Sequence, residues 1–559
     1  MKSAWKLIVG WLLLLAGSGA SLAVMTAGGV DVRDVRIPME TGDELAAYLY
    51  VPPGATAETP APAVLVVHGY INSRETQSGF AIELARRGYV VLAPDQPGHG
   101  FSGGTALSAG FGGPAALAWL IEQPFVDREN VGLEGHSMGG WASVAAAAAH
   151  PDGYRSLVLV GSATGPGYAP VGDSVFPRNV GVVFSRWDEF AQLMWGVQNA
   201  ADVGTSAKLK ALFGTEATVQ PGSVYGAAAA GTARWLAVPS TTHPGDHLSR
   251  EAIGYAVSWL NATLEGEREE LPAQRQIWFW KEAGTLVALI GGVLILVGML
   301  DLLLSLSRFA HLREAGVGVR EQPTRGWWLS LLVGAAVPAL TYFPLTSLGG
   351  ALSANVLLPQ GITNQILVWA VGNGLLAVPL VVRGRRRLEA HASAKLAVGA
   401  AAVFGLYVAV SIAQWVFESD LRFWVVALKP MAWHHVPAFL AYLVPFTAFF
   451  YVSQRALHET LSLDWASPER QYLTGMLATG GGFAVMMAGI YWSLFATGHL
   501  PGFADPLFTI VAIQFVAVLA LTGALAIFTW RRTNGALLGA IVCGLLITWY
   551  LVAGQATHV

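Results

Sequence analysis

The chain has 559 residues, 54% of them hydrophobic and only 12% charged, with 20 tryptophans and a mean hydropathy of +0.50. A soluble globular protein carries about 25% charged residues, so much of this chain is not built for water. The net charge of −3 gives no basis for a nucleic-acid partner, and the single cysteine, Cys543, excludes a disulfide within the chain.

Residues 1–29 open with Lys2 and Lys6 and then run apolar from Leu7 to Ala27. That pattern reads as a signal anchor, with Ser21-Leu22-Ala23 leaving a cleaved signal peptide as the alternative; either one exports the next domain. Ordinary polar content returns over 30–265, and about 240 residues are enough for a stable core. Val35–Pro38 and Ala46–Val51 read as strands around the turn Thr41-Gly42-Asp43. Ala63–Val67 and Tyr89–Ala93 are continuous apolar runs, as in strands buried on both faces. Glu75–Arg87 and Gly112–Glu122 have helical spacing. Val131-Gly132-Leu133 is a strand leading into Gly135-His136-Ser137-Met138-Gly139, and a helix of small residues comes next. Leu157–Val160, Val180–Phe184 and Ala233–Val238 are further strands, and Ser249–Leu260 is an amphipathic helix. Between them, Ser206–Phe213 and Gly222–Gly231 read as an extra helix and hairpin. This alternation predicts an α/β fold, a mostly parallel sheet flanked by helices, with ligands beyond the carboxyl ends of the strands.

Residues 266–283 read as a linker and 284–559 as an all-α membrane domain. Apolar runs long enough to span a bilayer lie near 284–306, 327–346, 364–382, 395–417, 431–453, 471–496, 506–530 and 536–553. Pro430 and Pro437 mark 420–453 as a broken or re-entrant segment. The linkers alternate in charge. Arg308, Arg313, Arg320 and Arg325 fill one, Arg383, Arg385, Arg386, Arg387 and Lys395 another, Arg455 and Arg470 a third, and Arg531 and Arg532 the last. Basic loops belong in the cytoplasm. The alternation therefore puts the N-terminus inside, and the 30–265 domain and the C-terminus outside, a multi-pass protein of the cell membrane. Trp278, Trp280, Trp327, Trp328, Trp415, Trp424, Trp492 and Trp530 fall near span ends, as an aromatic belt would.

The strand-turn-helix around Ser137 has the form of a G-x-S-x-G nucleophile elbow. A serine hydroxyl is a weak nucleophile and needs a base, which needs an orienting acid. Asp188, just after a strand, is the candidate acid, with its neighbour Glu189 as the alternative. His243, first after the last strand, is the candidate base. His247, nearer the helix, reads as a capping or surface residue and is the alternative base. His243, His247 and Asp246 also raise a metal reading, but no partner cluster has ligand spacing, so no metal and no cofactor is expected. The oxyanion would be held by the backbone N–H groups of Met138 and Tyr70, with His68 supporting the second loop.

Taken together, His68-Gly69-Tyr70, Asp95–Ser102, Gly135–Gly139, Asp188 and His243 make residues 35–263 resemble an α/β-hydrolase. The resemblance implies a serine hydrolase working through an acyl-enzyme, in a family that includes esterases, lipases, serine aminopeptidases and dienelactone hydrolase-like enzymes. It leaves Asp95–Ser102 a structural role. Many relatives insert a helical lid where this chain has only Gly161–Asn179, so the site is either open or covered by something else.

In the membrane half, Asp301 reads as an interface-reaching residue, and His434 and His435 as interfacial. The leading expectation is a membrane-embedded serine hydrolase acting on a small-molecule or lipid-like acyl substrate among membrane lipids. The alternative is a transporter or channel whose hydrolase-like outer domain binds or processes the transported substrate. Acyl transfer to an acceptor other than water is a third reading.

Overall fold

The computed structural model describes residues 4–559 except 166, 266–270, 319–322, 384–388, 423 and 463–466. The expectations placed on Lys2, Arg320, Arg385, Arg386 and Arg387, and on the Arg383 side chain, lie outside the described residues.

Among the described residues, nine strands form one sheet: β1 (Asp31–Pro38), β2 (Glu44–Val51), β3 (Ala61–Val67), β4 (Val90–Pro94), β5 (Val126–His136), β6 (Ser156–Val160), β7 (Val180–Val183), β8 (Val224–Tyr225) and β9 (Arg234–Ala237). Their order is β1-β2-β4-β3-β5-β6-β7-β9-β8. The central pairs from β4 to β9 are parallel; β1, β2 and β8 join antiparallel at the edges. The continuous apolar runs are explained by burial on both faces. In β3, Ala63, Leu65 and Val67 enter one core, and Val64 and Val66 enter the other. The first core packs under the helices Gly113–Ile121 and Met138–Ala149, the second under Ser78–Ala85 and Arg250–Thr263. The expected extra helix and hairpin are present as Ala207–Phe213 and the β8–β9 pair.

Nine helices among the described residues are long and apolar enough to cross a membrane, the mark of a multi-pass membrane protein. In chain order they are Ala4–Met25, Trp278–Ser305, Arg325–Gly349, Gly361–Val382, Ala392–Phe417, His435–Leu461, Pro468–Thr497, Pro506–Thr533 and Leu537–Gly554. The first packs antiparallel on the second along a seam of small residues. A Cβ on Gly17 would lie 2.5 Å from the Gly284 carbonyl, and one on Gly291 would lie 2.6 Å from that of Gly10. Such seams let backbones approach where apolar surface alone gives no drive to associate. The second helix starts at Trp278, ahead of its apolar run. The Glu83 carboxylate of the sheet domain accepts the Ile277 and Trp278 N–H groups at its end (2.7 and 3.1 Å).

Asp301 is not merely reaching for an interface: it pairs with Lys6 and Arg532 on two other helices. Trp278, Trp327 and Trp530 are buried among helices, so they leave the expected belt, whereas Trp280, Trp328, Trp415 and Trp492 face outward. His434 is exposed, but His435 is buried with its Nδ1 accepting the Ala432 N–H.

The sheet domain is docked on the helices through buried charge. Residues 418–422 and 424–434, between the fifth and sixth apolar helices, are not helical and lie against the domain. Lys429 holds the Glu75 carboxylate (2.9 and 3.0 Å), and Arg422 binds both the Glu75 carbonyl and Glu282. Residues beyond the last helix add a backbone clasp, Thr557 exchanging hydrogen bonds with Gly98 and Ala106 (2.8 and 2.7 Å). Removing one partner of a buried pair strands the other. Lys429→Ala should therefore destabilise the detergent-solubilised protein by about 3 kcal/mol, read as a lower thermal midpoint, while Lys429→Arg should recover most of it. An unchanged midpoint in Lys429→Ala would remove the ion pair from the docking.

Candidate active site

Strand β5 ends at His136, and a helix begins at Met138, so one residue must turn the chain. That residue is Ser137, at φ 55° and ψ −121°, a conformation that costs a non-glycine residue about 1–3 kcal/mol. The turn is held from outside. The Ser137 N–H donates to the Val160 carbonyl (2.9 Å), and the Ser162 hydroxyl donates to the Ser137 carbonyl (2.6 Å). The flanking glycines are required by contact. A Cβ on Gly135 would sit 2.1 Å from the Gly139 carbonyl, and one on Gly139 would sit 2.0 Å from that of Val67.

The loops after β7 and β9 bring the other candidates together, tied by the Trp187 N–H on the Thr241 carbonyl (3.1 Å). His243 Nδ1 donates to Asp188 Oδ2 at 2.9 Å. The other Asp188 oxygen accepts the Phe190 N–H (2.8 Å), and the Phe190 ring packs 4.6 Å from the His243 ring. Among the described residues, Glu189 makes no hydrogen bond to the imidazole. Its carboxylate accepts the His243 backbone N–H (2.8 Å) and the Tyr491 hydroxyl (2.6 Å), the latter from the seventh apolar helix. Burial pushes the His243 pKa down to about 4, with the Asp246 charge opposing. The imidazole is thus kept neutral and able to accept a proton.

His247 departs from the surface role expected of it. It is buried, packed on His136 at 4.0 Å, with Nε2 3.3 Å from Asn72 Nδ2. The cause is His136, whose ring packs on both histidines and whose Nε2 donates to the His243 carbonyl (2.9 Å). Asp246, the third member of the metal reading, is turned to the Ser185 hydroxyl and lies 3.7 Å from His136.

Tyr70 and Met138 both border the Ser137 cavity, and neither backbone N–H is spent on another group among the described residues. The Tyr70 loop is braced as expected. His68 donates through Nδ1 to the Gly69 carbonyl and accepts the Gln96 N–H on Nε2. Asp95 accepts the Arg74 and Phe101 N–H groups, and Ser102 caps the Asp95 carbonyl. The Tyr70 hydroxyl hydrogen-bonds His558 at 2.7 Å.

Ser137 and His243 line one cavity of about 330 Å³. No hydrogen bond joins the two side chains among the described residues; such contacts often tighten only when substrate binds. The described residues of the short stretch 161–179 form no helix, but Tyr168 stacks on Trp141 at one wall (4.7 Å). The helical region and the stretch before its sixth helix add walls of their own: Val425, Leu507 and Ile510 line the cavity. Nothing local in the sequence marks these three, or His136, Phe190 and Tyr491, as site residues. Val425, Leu507, Ile510 and Tyr491 reach it only through the docking of two distant parts of the chain, whereas His136 and Phe190 lie beside Ser137 and Asp188 in the sheet domain itself.

Comparison with known proteins fits this architecture. Residues 62–208 match the family model for the alpha/beta hydrolase fold. The chain is 28% identical over 159 residues to Esterase YjfP of Escherichia coli (strain K12), covering 26% of this chain and 62% of that one. It is 30% identical over 137 residues to Dipeptidyl aminopeptidase BIII of Pseudoxanthomonas mexicana, covering 22% of this chain and 20% of that one. The chain thus spans less than two thirds of either curated relative. Among solved structures, dienelactone hydrolase from Anabaena variabilis is similar at 17% identity and a TM-score of 0.30, covering 42% of this chain and 99% of that one. The sheet domain is an α/β-hydrolase fold with esterase and dipeptidyl aminopeptidase homologues, and it is followed by a region of long apolar helices.

Proposed function

We propose that this protein is a membrane-embedded serine hydrolase. It cleaves an ester, thioester or amide bond through an acyl-enzyme on Ser137. The observation that carries the reading is the one cavity in which Ser137, His243 and the Tyr70 and Met138 loops meet apolar walls from both halves of the chain. Neutral His243 takes the Ser137 proton through Nε2 as the oxygen attacks the acyl carbon. Asp188 holds Nδ1–H and stabilises the imidazolium that forms. The Tyr70 and Met138 N–H groups take the oxyanion. His243 returns the proton to the leaving group, and water, activated the same way, releases the acid.

The walls speak to the substrate. Ile71, Leu107, Leu193, Met194, Leu507 and Ile510 offer apolar surface, and no Asp, Glu, Lys or Arg lines the cavity among the described residues. An apolar, neutral acyl group fits; the free ammonium of an aminoacyl substrate would find no carboxylate. A lipid-like ester presented from surrounding membrane lipids is the preferred class. In this reading, residues 1–29 are a retained signal anchor, 30–265 an extracytoplasmic hydrolase domain, and the helices from Trp278 onward the membrane domain. Support for the orientation comes from Lys6, Lys395, Arg455 and Arg532, which collect at the end of the helices away from the hydrolase.

A fluorophosphonate probe should label the wild type and leave Ser137→Ala unlabelled; label on the variant would rule out this nucleophile. In a panel of short esters, long esters and aminoacyl amides, kcat/KM should be highest for long neutral esters. Ile510→Trp should lower it on those by about 10-fold and spare acetyl esters. A preference for aminoacyl amides would overturn the substrate class. The pH dependence is set by His243, which must be neutral to act and whose pKa is lowered from 6.5 to about 4. Protonation therefore removes the base only well below the ordinary imidazole range. The acid limb of kcat/KM should lie nearer 4 than 6.5; a limb at the ordinary histidine value would contradict the burial of this base.

A further inference from the structure

We infer that Tyr491, on the seventh apolar helix, positions the imidazole of His243 through the carboxylate of Glu189, so that the membrane region tunes the hydrolase site. The inference rests on the reading of His243 as the base. Three consecutive residues fix His243, each at a different place. Asp188 holds its Nδ1, Phe190 packs on its ring, and Glu189 accepts its backbone N–H. Of the three, Glu189 carries a side-chain hydrogen bond from the helical region, the 2.6 Å contact from the Tyr491 hydroxyl. Phe495 of the same helix meets the Trp187 ring edge-to-face at 5.2 Å, a packing contact separate from the Tyr491–Glu189–His243 hydrogen bonds.

A buried carboxylate is retained in one orientation only if its oxygens are occupied. Here one oxygen faces the His243 N–H and the other faces Tyr491, so each donor orients the group for the other. Burial, reinforced by the Asp188 charge, pushes the Glu189 pKa up to about 8, and both donors oppose that rise. Without the Tyr491 hydroxyl, one Glu189 oxygen loses its partner and the side chain is free to turn, releasing the His243 backbone. Neither Tyr491 nor Glu189 lines the cavity. Their loss should therefore act on the chemical step and not on substrate binding.

The test uses the full-length protein in detergent or proteoliposomes with a neutral ester. Tyr491→Phe, which removes only the hydroxyl, should lower kcat on the order of 10-fold with KM essentially unchanged. Glu189→Gln should do the same, and the double variant should be no worse than either single one, because both break one path. Phe495→Leu disturbs packing on the same loop but not the path, and should keep kcat. Amide hydrogen exchange over residues 241–247 should quicken in Tyr491→Phe, a readout that needs no turnover. Unchanged kcat in Tyr491→Phe, additive losses in the double variant, an equal loss in Phe495→Leu or unchanged exchange would each overturn the inference. Failure of the wild type to label at Ser137 would instead strike the hydrolase reading, with exchange still reporting the coupling.

Discussion

The arrangement depends on one buried contact, the carboxylate of Glu75 against the ammonium of Lys429. Both groups are about 1% exposed. Taking two charges out of water costs several kcal/mol each, recovered only with close geometry and further hydrogen bonds. Those are supplied by the Ser73 hydroxyl on Glu75 and by Arg422 on the Glu75 carbonyl. Glu75 lies a few residues beyond the Tyr70 loop, so fixing it also fixes that loop's far end. The wall residue Val425 comes from the same 418–434 stretch as Lys429 and Arg422. One segment therefore supplies both charges of the joint from the helical side and one wall of the cavity.

The parts legible in the sequence were those set by local rules. Strands β3, β4, β6 and β7 are apolar runs because both faces are covered. The elbow is a pattern because backbones cross at Gly135 and Gly139. Helices that span a membrane are long because a bilayer is thick. What could not be read is which distant pieces meet. Tyr491 and Glu189 are 302 residues apart, Lys429 and Glu75 are 354 apart, and Tyr70 and His558 are 488 apart. Composition and periodicity hold no signal for such pairs. His247 shows the same limit on a shorter scale: its loop position suggested the surface, and His136, arriving from another strand, buries it. Trp278, Trp327 and Trp530 repeat the lesson, since nearness to a span end does not decide which way a ring points.

Asp188 and Glu189 illustrate how adjacent acids diverge. In sequence they are interchangeable, both after a strand and both within reach of the next loop. In the fold, one meets the His243 ring and the other meets its backbone. The two lie in a tight turn, with the Asp188 N–H on the Ser185 carbonyl, and the turn sends one carboxylate to the ring and the other to the backbone. The ambiguity could be narrowed by spacing but not removed by it.

The seam between the first and second apolar helices has a consequence for biogenesis. These two helices form an antiparallel hairpin, yet the whole hydrolase domain is inserted at its tip. Domains fold largely as units while synthesis proceeds, so roughly 250 residues must emerge and fold before the second half of the hairpin exists to meet the first. Until then, Gly10 and Gly17 lack the partner backbone they pack against. Once the seam zips, Ser21 is bonded to Lys281 across it at 2.9 Å. The domain then hangs from two stalks that touch at its base. A body held by two adjoining stalks cannot swivel freely, and its cavity keeps a fixed bearing toward the helices beneath it.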